Sequence, residues 1–301
     1  MRFIRSKGAV AAFGLALSLS TLAGCGDAGS DDEGRDVKAD TDAAESLPDG
    51  SRMKEIADAG KIKVGVKFDQ PGLGFKTATD DIPTGFDVEV AKILVSKLGL
   101  DPSDPSQVQW EETVSDNREP FLQNGKVDLV LASYSITDDR QKVVGQTGPY
   151  MITGQQLLVK SDADVESIDD LKGKEICSVT GSTSIDRINE QGAKGVGFDS
   201  YSECVQKVLD GTVEAMSTDG AILMGYAAEN EGELKVVGDE FSEENIGVGY
   251  SKKEPEMCQW INDTLTEAFD DGSWAEAFEV TLGKSGSETP DPPELNDCPS
   301  S

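Results

Sequence analysis

The sequence predicts an α/β protein whose sheets, mainly parallel, are packed between helices. Short runs rich in Val, Ile and Leu alternate with amphipathic helical stretches, the pattern of that class. Roughly 235 residues, from about 52 to 283, carry the pattern, enough for one large or two small cores. No phosphate-cradling glycine loop follows the first strand, which disfavours a nucleotide-binding domain. The predicted strands are 61–66, 127–132, 156–160, 175–179, 213–217 and 246–251. The first predicted helix places Phe86, Val90, Ile93, Leu94 and Leu98 on one face, and stretches near 184–192, 202–210, 219–229 and 255–271 are of the same kind.

Ahead of this body, Met1 to Lys7 carries Arg2, Arg5 and Lys7 with no acid, and an apolar stretch runs from Ala9 to Leu22, the layout of a secretory signal. It ends at Leu22-Ala23-Gly24-Cys25, which resembles the lipobox of bacterial lipoproteins. That resemblance implies lipidation of Cys25 and removal of 1–24 as a signal peptide. The run is short of the roughly 20 apolar residues that a spanning helix requires. Residues 25–52, built of Asp, Glu, Gly, Ser and Ala, predict a flexible acidic linker, because so few apolar side chains cannot offset the entropy of ordering. Residues 284–301, rich in Pro, Ser and acids, predict an extended C-terminal tail.

The formal net charge is −30, with 57 acids against 27 bases, a surface that repels nucleic acid and anionic lipid; no nucleic-acid partner is expected. Histidine is absent, which removes the commonest general base and metal ligand and most Ser-His and Cys-His schemes with them. Of five cysteines, one is Cys25; Cys177, Cys204, Cys258 and Cys298 form an even set that predicts two disulfides, with three pairings open. Lacking histidine and any closely spaced cysteine pair, the chain is a poor zinc binder, and neither metal nor cofactor is expected.

The phrases "IKVGVKFDQPGLGF", "TGFDVEVAKILVSKLG", "NGKVDLVLASYSITDDRQKVVGQTGPY", "VTGSTSIDRI", "AMSTDGAILMGYA" and "DGSWAEAFEVTLG", in that order, resemble the polar-amino-acid-binding proteins of ABC transporters, extracellular solute-binding family 3. The likeness is strongest to the actinobacterial glutamate-binding branch. It implies a bilobal, periplasmic-binding-protein-like fold: two α/β lobes joined by two hinge crossovers near 153–155 and 246–248, with the ligand between them. The first lobe is then 53–153 with 248–283, and the second 154–247. On that division the favoured disulfides are Cys177–Cys204, within one lobe, and Cys258–Cys298, pinning the tail to a helix. The resemblance further implies a monomer that delivers an amino acid to the permease of an ABC importer, outside the cell membrane and tethered through Cys25. Some lyases and sensor domains share the fold. A lyase needs a poised acid or base, and beyond Asp219 and the cleft hydroxyls the sequence offers none, so the expectation is a binder and not an enzyme.

A free amino acid is a zwitterion, so its site must give donors to a carboxylate and acceptors to an ammonium while both lose water. Arg140, which closes "SITDDR", is the candidate carboxylate clamp, with Ser133 and Ser135 at the preceding strand end. A surface Arg140 paired with Asp138 or Asp139 is the competing reading. From the other lobe Ser182 and Thr183, between a strand and a helix, offer backbone amides to the same carboxylate; ordinary helix capping is the alternative. Asp219, by resemblance, accepts from the ligand ammonium, against an N-cap role. Arg118 stands in the first turn of a helix, where the positive helix end disfavours it, so stability alone does not ask for it. By resemblance Arg118, Ser115 and Lys67 mark the binders of acidic amino acids, with a surface position as the competing reading of Lys67. Arg140, Arg118 and Lys67 against Asp219 leave two positive charges in excess, which suits a ligand with a second carboxylate, glutamate or aspartate, with glutamine as the alternative.

Overall fold

The computed structural model describes residues 34–299; the signal segment 1–24, the lipidation site Cys25 and the first part of the expected linker lie outside the described residues. Two five-stranded sheets carry the fold. In the first, Val108–Glu112, Ile62–Val66, Leu129–Val130, Glu244–Tyr250 and Gly145–Thr153 lie side by side in that order. In the second the order is Leu234–Val237, Gln155–Lys160, Ala215–Asp219, Glu175–Val179 and Lys194–Phe198. A short ladder, Asp69–Gln70 with Gly74–Phe75, stands apart. The architecture is the bilobal α/β fold that the sequence predicts, one sheet to each lobe.

The sheets are less parallel than expected. In each, only the three strands farthest from the crossovers pair in parallel. The remaining ladders, which involve Gly145–Thr153, Gln155–Lys160 and Glu244–Tyr250, are antiparallel. The geometry of the crossovers causes this: Gly145–Thr153 leaves the first sheet, one glycine intervenes, and Gln155–Lys160 starts the second. The return strand begins at Glu244, opposite Thr153, two residues ahead of the expected 246. The two connections therefore run together, tied also by the Phe241 N–H donating to Gln155 O at 3.0 Å.

Helix Phe86–Lys97 is buried along nearly its whole length and not on one face alone. Phe86 meets Tyr150, Trp274 and Phe278 edge to face, with centroids 5.5–6.0 Å apart. Its polar side is covered by the segment expected to be a flexible linker. From Arg35 onward that segment is built onto the first lobe: Arg35 bonds Glu89 at 3.2 Å and Glu276 at 3.1 Å, and Lys92 completes the Glu89 pair at 2.6 Å. Asp40 caps helix Thr41–Glu45 and takes Lys97 at 2.9 Å, and Leu47 is buried. The composition argument weighs apolar side chains only. It misses that Arg35, a rare cation in a chain this acidic, finds two carboxylates at once.

Disulfides join Cys177 to Cys204 and Cys258 to Cys298, each with Cα atoms 5.8 Å apart. The first ties strand Glu175–Val179 to helix Tyr201–Leu209. The second holds the tail, which from the short turn Leu282–Ser285 to residue 299 has no further regular structure, to helix Glu256–Asp271; the Asn296 N–H also donates to Gly148 O at 2.6 Å. Among the described residues no helix is long and apolar enough to cross a membrane.

Candidate ligand-binding cleft

The residues singled out in sequence converge where the parallel strands of both sheets end, the edge at which open α/β sheets receive ligands. Lys67 follows strand Ile62–Val66 and is 3% exposed. Its Nζ donates to Ser115 Oγ at 2.8 Å and lies 5.8 Å from the Tyr201 ring centroid. Burial, and then the neighbouring Arg118 charge, push its pKa down to about 7.

Arg118 opens helix Arg118–Gln123 and is 2% exposed. A ring of carbonyls explains a cation in so unfavourable a place. Nε donates to Ser115 O at 3.2 Å, Nη1 to Ala132 O and Ser133 O at 3.1 Å each, and Nη2 to Gly181 O of the second lobe at 3.1 Å. Desolvation, and then Arg140, lower its pKa to about 10. Arg140 lies beside it, its guanidinium 4.9 Å from the Tyr134 ring centroid where that of Arg118 is 4.6 Å away. Arg140 Nη1 donates to Ser135 O at 2.7 Å and Nη2 to Gly181 O at 3.1 Å, while Nε pairs with Glu119 at 3.2 Å. Its carboxylate is thus Glu119 rather than Asp138 or Asp139, both of which are exposed.

Ser133 is held at φ +47°, its N–H donating to Asp87 Oδ2 at 2.8 Å and its hydroxyl to Gln70 Oε1. Ser135 Oγ reaches Thr183 Oγ1 across the lobes at 3.4 Å, and Thr183 Oγ1 in turn donates to Glu244 Oε2 at 3.3 Å. Ser182 turns its hydroxyl back to Val179 O at 2.6 Å. The loop before helix Ser184–Glu190 shows the two arginines a carbonyl, that of Gly181, where the sequence reading expects amides. Gly181 sits at φ +78°, and a Cβ there would lie 2.2 Å from Asp116 Oδ1, so the close approach of the lobes requires glycine. Asp219 ends strand Ala215–Asp219, 4% exposed, and makes no side-chain capping bond to the helix that follows. Burial, with Glu244 adding to it and Arg118 and Arg140 opposing, raises its pKa to about 7.

The sequence reading misses the acids opposite these cations. Asp87, fully buried, accepts from Tyr150 OH at 2.7 Å and from Ser133; burial raises its pKa to about 6. Its signal is that it is one of two acids, with Glu89, inside an apolar helical run. Glu119 follows Arg118 directly and Glu244 comes from a distant strand, and no local pattern marks either. With Asp87 and Glu119 included, the expected excess of two positive charges is gone. What persists is narrower: among the described residues neither Lys67 nor Arg118 has a carboxylate oxygen within 4.0 Å, and both are neutralised only at a distance. A cavity of about 660 Å³ opens at the rim, bounded by Thr137, Arg140, Gly181, Thr183 and Arg187.

Residues 62–284 match the bacterial extracellular solute-binding proteins, family 3. The chain is 38% identical over 245 residues to the glutamate-binding protein of Corynebacterium efficiens, covering 78% of this chain and 83% of the relative. It is 33% identical over 271 residues to the ABC transporter glutamine-binding protein of Bacillus subtilis, covering 89% and 94%. Among solved structures, an ancestral arginine-binding protein bound to glutamine superposes with a TM-score of 0.68 at 34% identity, over 74% of this chain and 98% of that one. An ancestral amino acid-binding protein described as a precursor of cyclohexadienyl dehydratase gives 0.69 at 32%, over 77% and 100%.

Proposed function

The chain belongs to the bacterial extracellular solute-binding proteins, family 3, and on that premise we propose that it is the solute-binding component of an ABC importer for an acidic amino acid, glutamate or aspartate. The observation that carries the choice of ligand is the pair of buried cations, Lys67 and Arg118, with no carboxylate in contact among the described residues. A ligand carboxylate supplies what neither the first lobe nor the second places there. Arg140 with Ser133 and Ser135 takes the α-carboxylate, Thr183 and the Ser182 backbone adjoin it from the second lobe, and Asp219 accepts from the ammonium. The name of the Corynebacterium relative supports this reading. The glutamine-binding relative supports the alternative, a binder of a neutral polar amino acid.

The same proposal makes the protein a monomeric extracytoplasmic binder, held to the cell membrane through Cys25, whose two lobes close on the ligand and present it to a permease. On this reading it is a binder and not a lyase, with Asp219 holding the ligand ammonium. Titration calorimetry with the twenty amino acids tests it. Glutamate or aspartate should bind most tightly and be recovered unchanged. Preference for glutamine would move the protein to the alternative, and turnover of any ligand would defeat the reading.

A further inference from the structure

The lobes also touch beside the cleft, through groups that are not among the proposed ligand contacts. Asp69, in the short ladder of the first lobe, accepts at Oδ2 from the N–H of Tyr201 at 2.8 Å and of Ser202 at 3.4 Å. These are first-turn donors of helix Tyr201–Leu209 in the second lobe. Ser200, that helix's own cap, satisfies the N–H of Glu203, so Asp69 takes up the two donors that Ser200 leaves. The Asp69 carbonyl accepts from Tyr226 OH on helix Gly220–Glu229. One residue before Tyr226, a Cβ on Gly225 would stand 2.1 Å from Pro71 O. A glycine at 225 is therefore what lets this helix seat on the ladder's turn. The helix that Asp69 caps is fixed to its own sheet by Cys177–Cys204, so a force on its first turn acts on the lobe as a body.

We propose that Asp69, with the Gly225–Pro71 seat, is a latch that holds the two lobes together whichever amino acid lies between them, and without one. Asp69 is a positioning residue: it acts on the ligand through closure. The idea rests on the reading of the protein as a closing binder. Removing a carboxylate from a helix's first turn has the effect of losing a cap, so Asp69→Ala should weaken binding by roughly 3- to 30-fold. Glutamate and glutamine should lose the same factor, with the loss in the dissociation rate and not in association. Gly225→Ala should act in the same direction through steric contact alone, and Asp69→Asn, which keeps an acceptor oxygen, should recover part of the loss.

Stopped-flow kinetics and calorimetry with glutamate and glutamine, together with small-angle scattering of the ligand-free proteins, make the test. The expected result is equal losses for both amino acids and a larger ligand-free radius of gyration for Asp69→Ala than for the unmodified protein. Unchanged affinities, or losses that differ between the two ligands, overturn the latch. If neither amino acid binds the unmodified protein, the proposed function fails, and the latch stands or falls on the ligand-free radii alone: a larger radius in the variant supports it and an equal radius overturns it.

Discussion

Replacing Lys67 with Met separates the part this residue plays in folding from the part proposed for it in binding. A pKa that falls from 10.5 to about 7 means that the fold bears the charge at a cost on the order of 5 kcal/mol, at about 1.4 kcal/mol per pH unit. The sign follows from proton counts. Between pH 7 and 10.5 the unfolded chain holds the proton and the folded one does not, so this cost is fully present below pH 7 and is relieved as pH rises toward 10.5. Methionine fills the space without charge, and the sole bond given up is the one from Nζ to Ser115 Oγ, worth about 1 kcal/mol. Lys67→Met should therefore stabilise the protein by roughly 1–4 kcal/mol at pH 6, the range seen when buried ions are exchanged for apolar groups. The same change should weaken glutamate by roughly 2–5 kcal/mol, and glutamine much less. Urea unfolding at pH 6 and calorimetry with both ligands give the two numbers. A variant that is less stable, or that loses both ligands equally, would refute the account of Lys67.

Arg118→Ala should also favour glutamine over glutamate, with glutamate weakened by roughly 2–5 kcal/mol. Unlike Lys67→Met it should lower the melting temperature, because the buried carbonyls of Ser115, Ala132 and Ser133 each lose a donor. Asp219→Asn and Arg140→Lys should weaken every amino acid that binds, and calorimetry across glutamate, glutamine and aspartate checks the uniformity. Glutamate affinity should peak near pH 7: below it Asp219 takes up a proton that the ligand ammonium must displace, and above it Lys67 has lost the proton that the ligand carboxylate needs. For glutamine, titrated over the same pH range, only the acid-side decline should appear. Replacing both Cys177 and Cys204 with Ser opens a loop of separation 27 and should cost roughly 3–4 kcal/mol, read from urea midpoints.

Much of the fold is legible in the chain because local pattern and tertiary role agree. Strands 175–179 and 156–160 read correctly from their Val, Ile and Leu content, since both lie inside a sheet covered on two faces. Gly145–Thr153 escapes that reading. Its first half, Gly-Gln-Thr-Gly-Pro, has no strand pattern, and it becomes one only because Glu244–Tyr250, about a hundred residues on, pairs with it. Lys194–Phe198 escapes for another reason. It is an edge strand whose glycines let the neighbouring loop and helix lie close, so it carries few large apolar side chains. In the cleft Lys67 and Arg118 are picked out by family resemblance, and Arg118 also by its disfavoured place in the first turn of a helix. Their acidic neighbours are not, for in a chain with 57 acids nothing local separates Glu119 and Glu244 from a solvated carboxylate.

The position of strand Glu244–Tyr250, between Leu129–Val130 and Gly145–Thr153, bears on the order in which the protein can be built. All five strands of the second sheet lie between residues 155 and 237, one uninterrupted stretch that can finish as soon as it emerges. The first sheet starts earlier and ends later. Its interior strand arrives only after the whole of the second has been made, and until then Leu129–Val130 and Gly145–Thr153 present unpaired edges to any other chain at the same stage. Such half-built sheets are what nascent chains aggregate through. Here each copy carries a formal charge of −30, and mutual repulsion between unfinished molecules protects the open edges during the interval that the topology imposes.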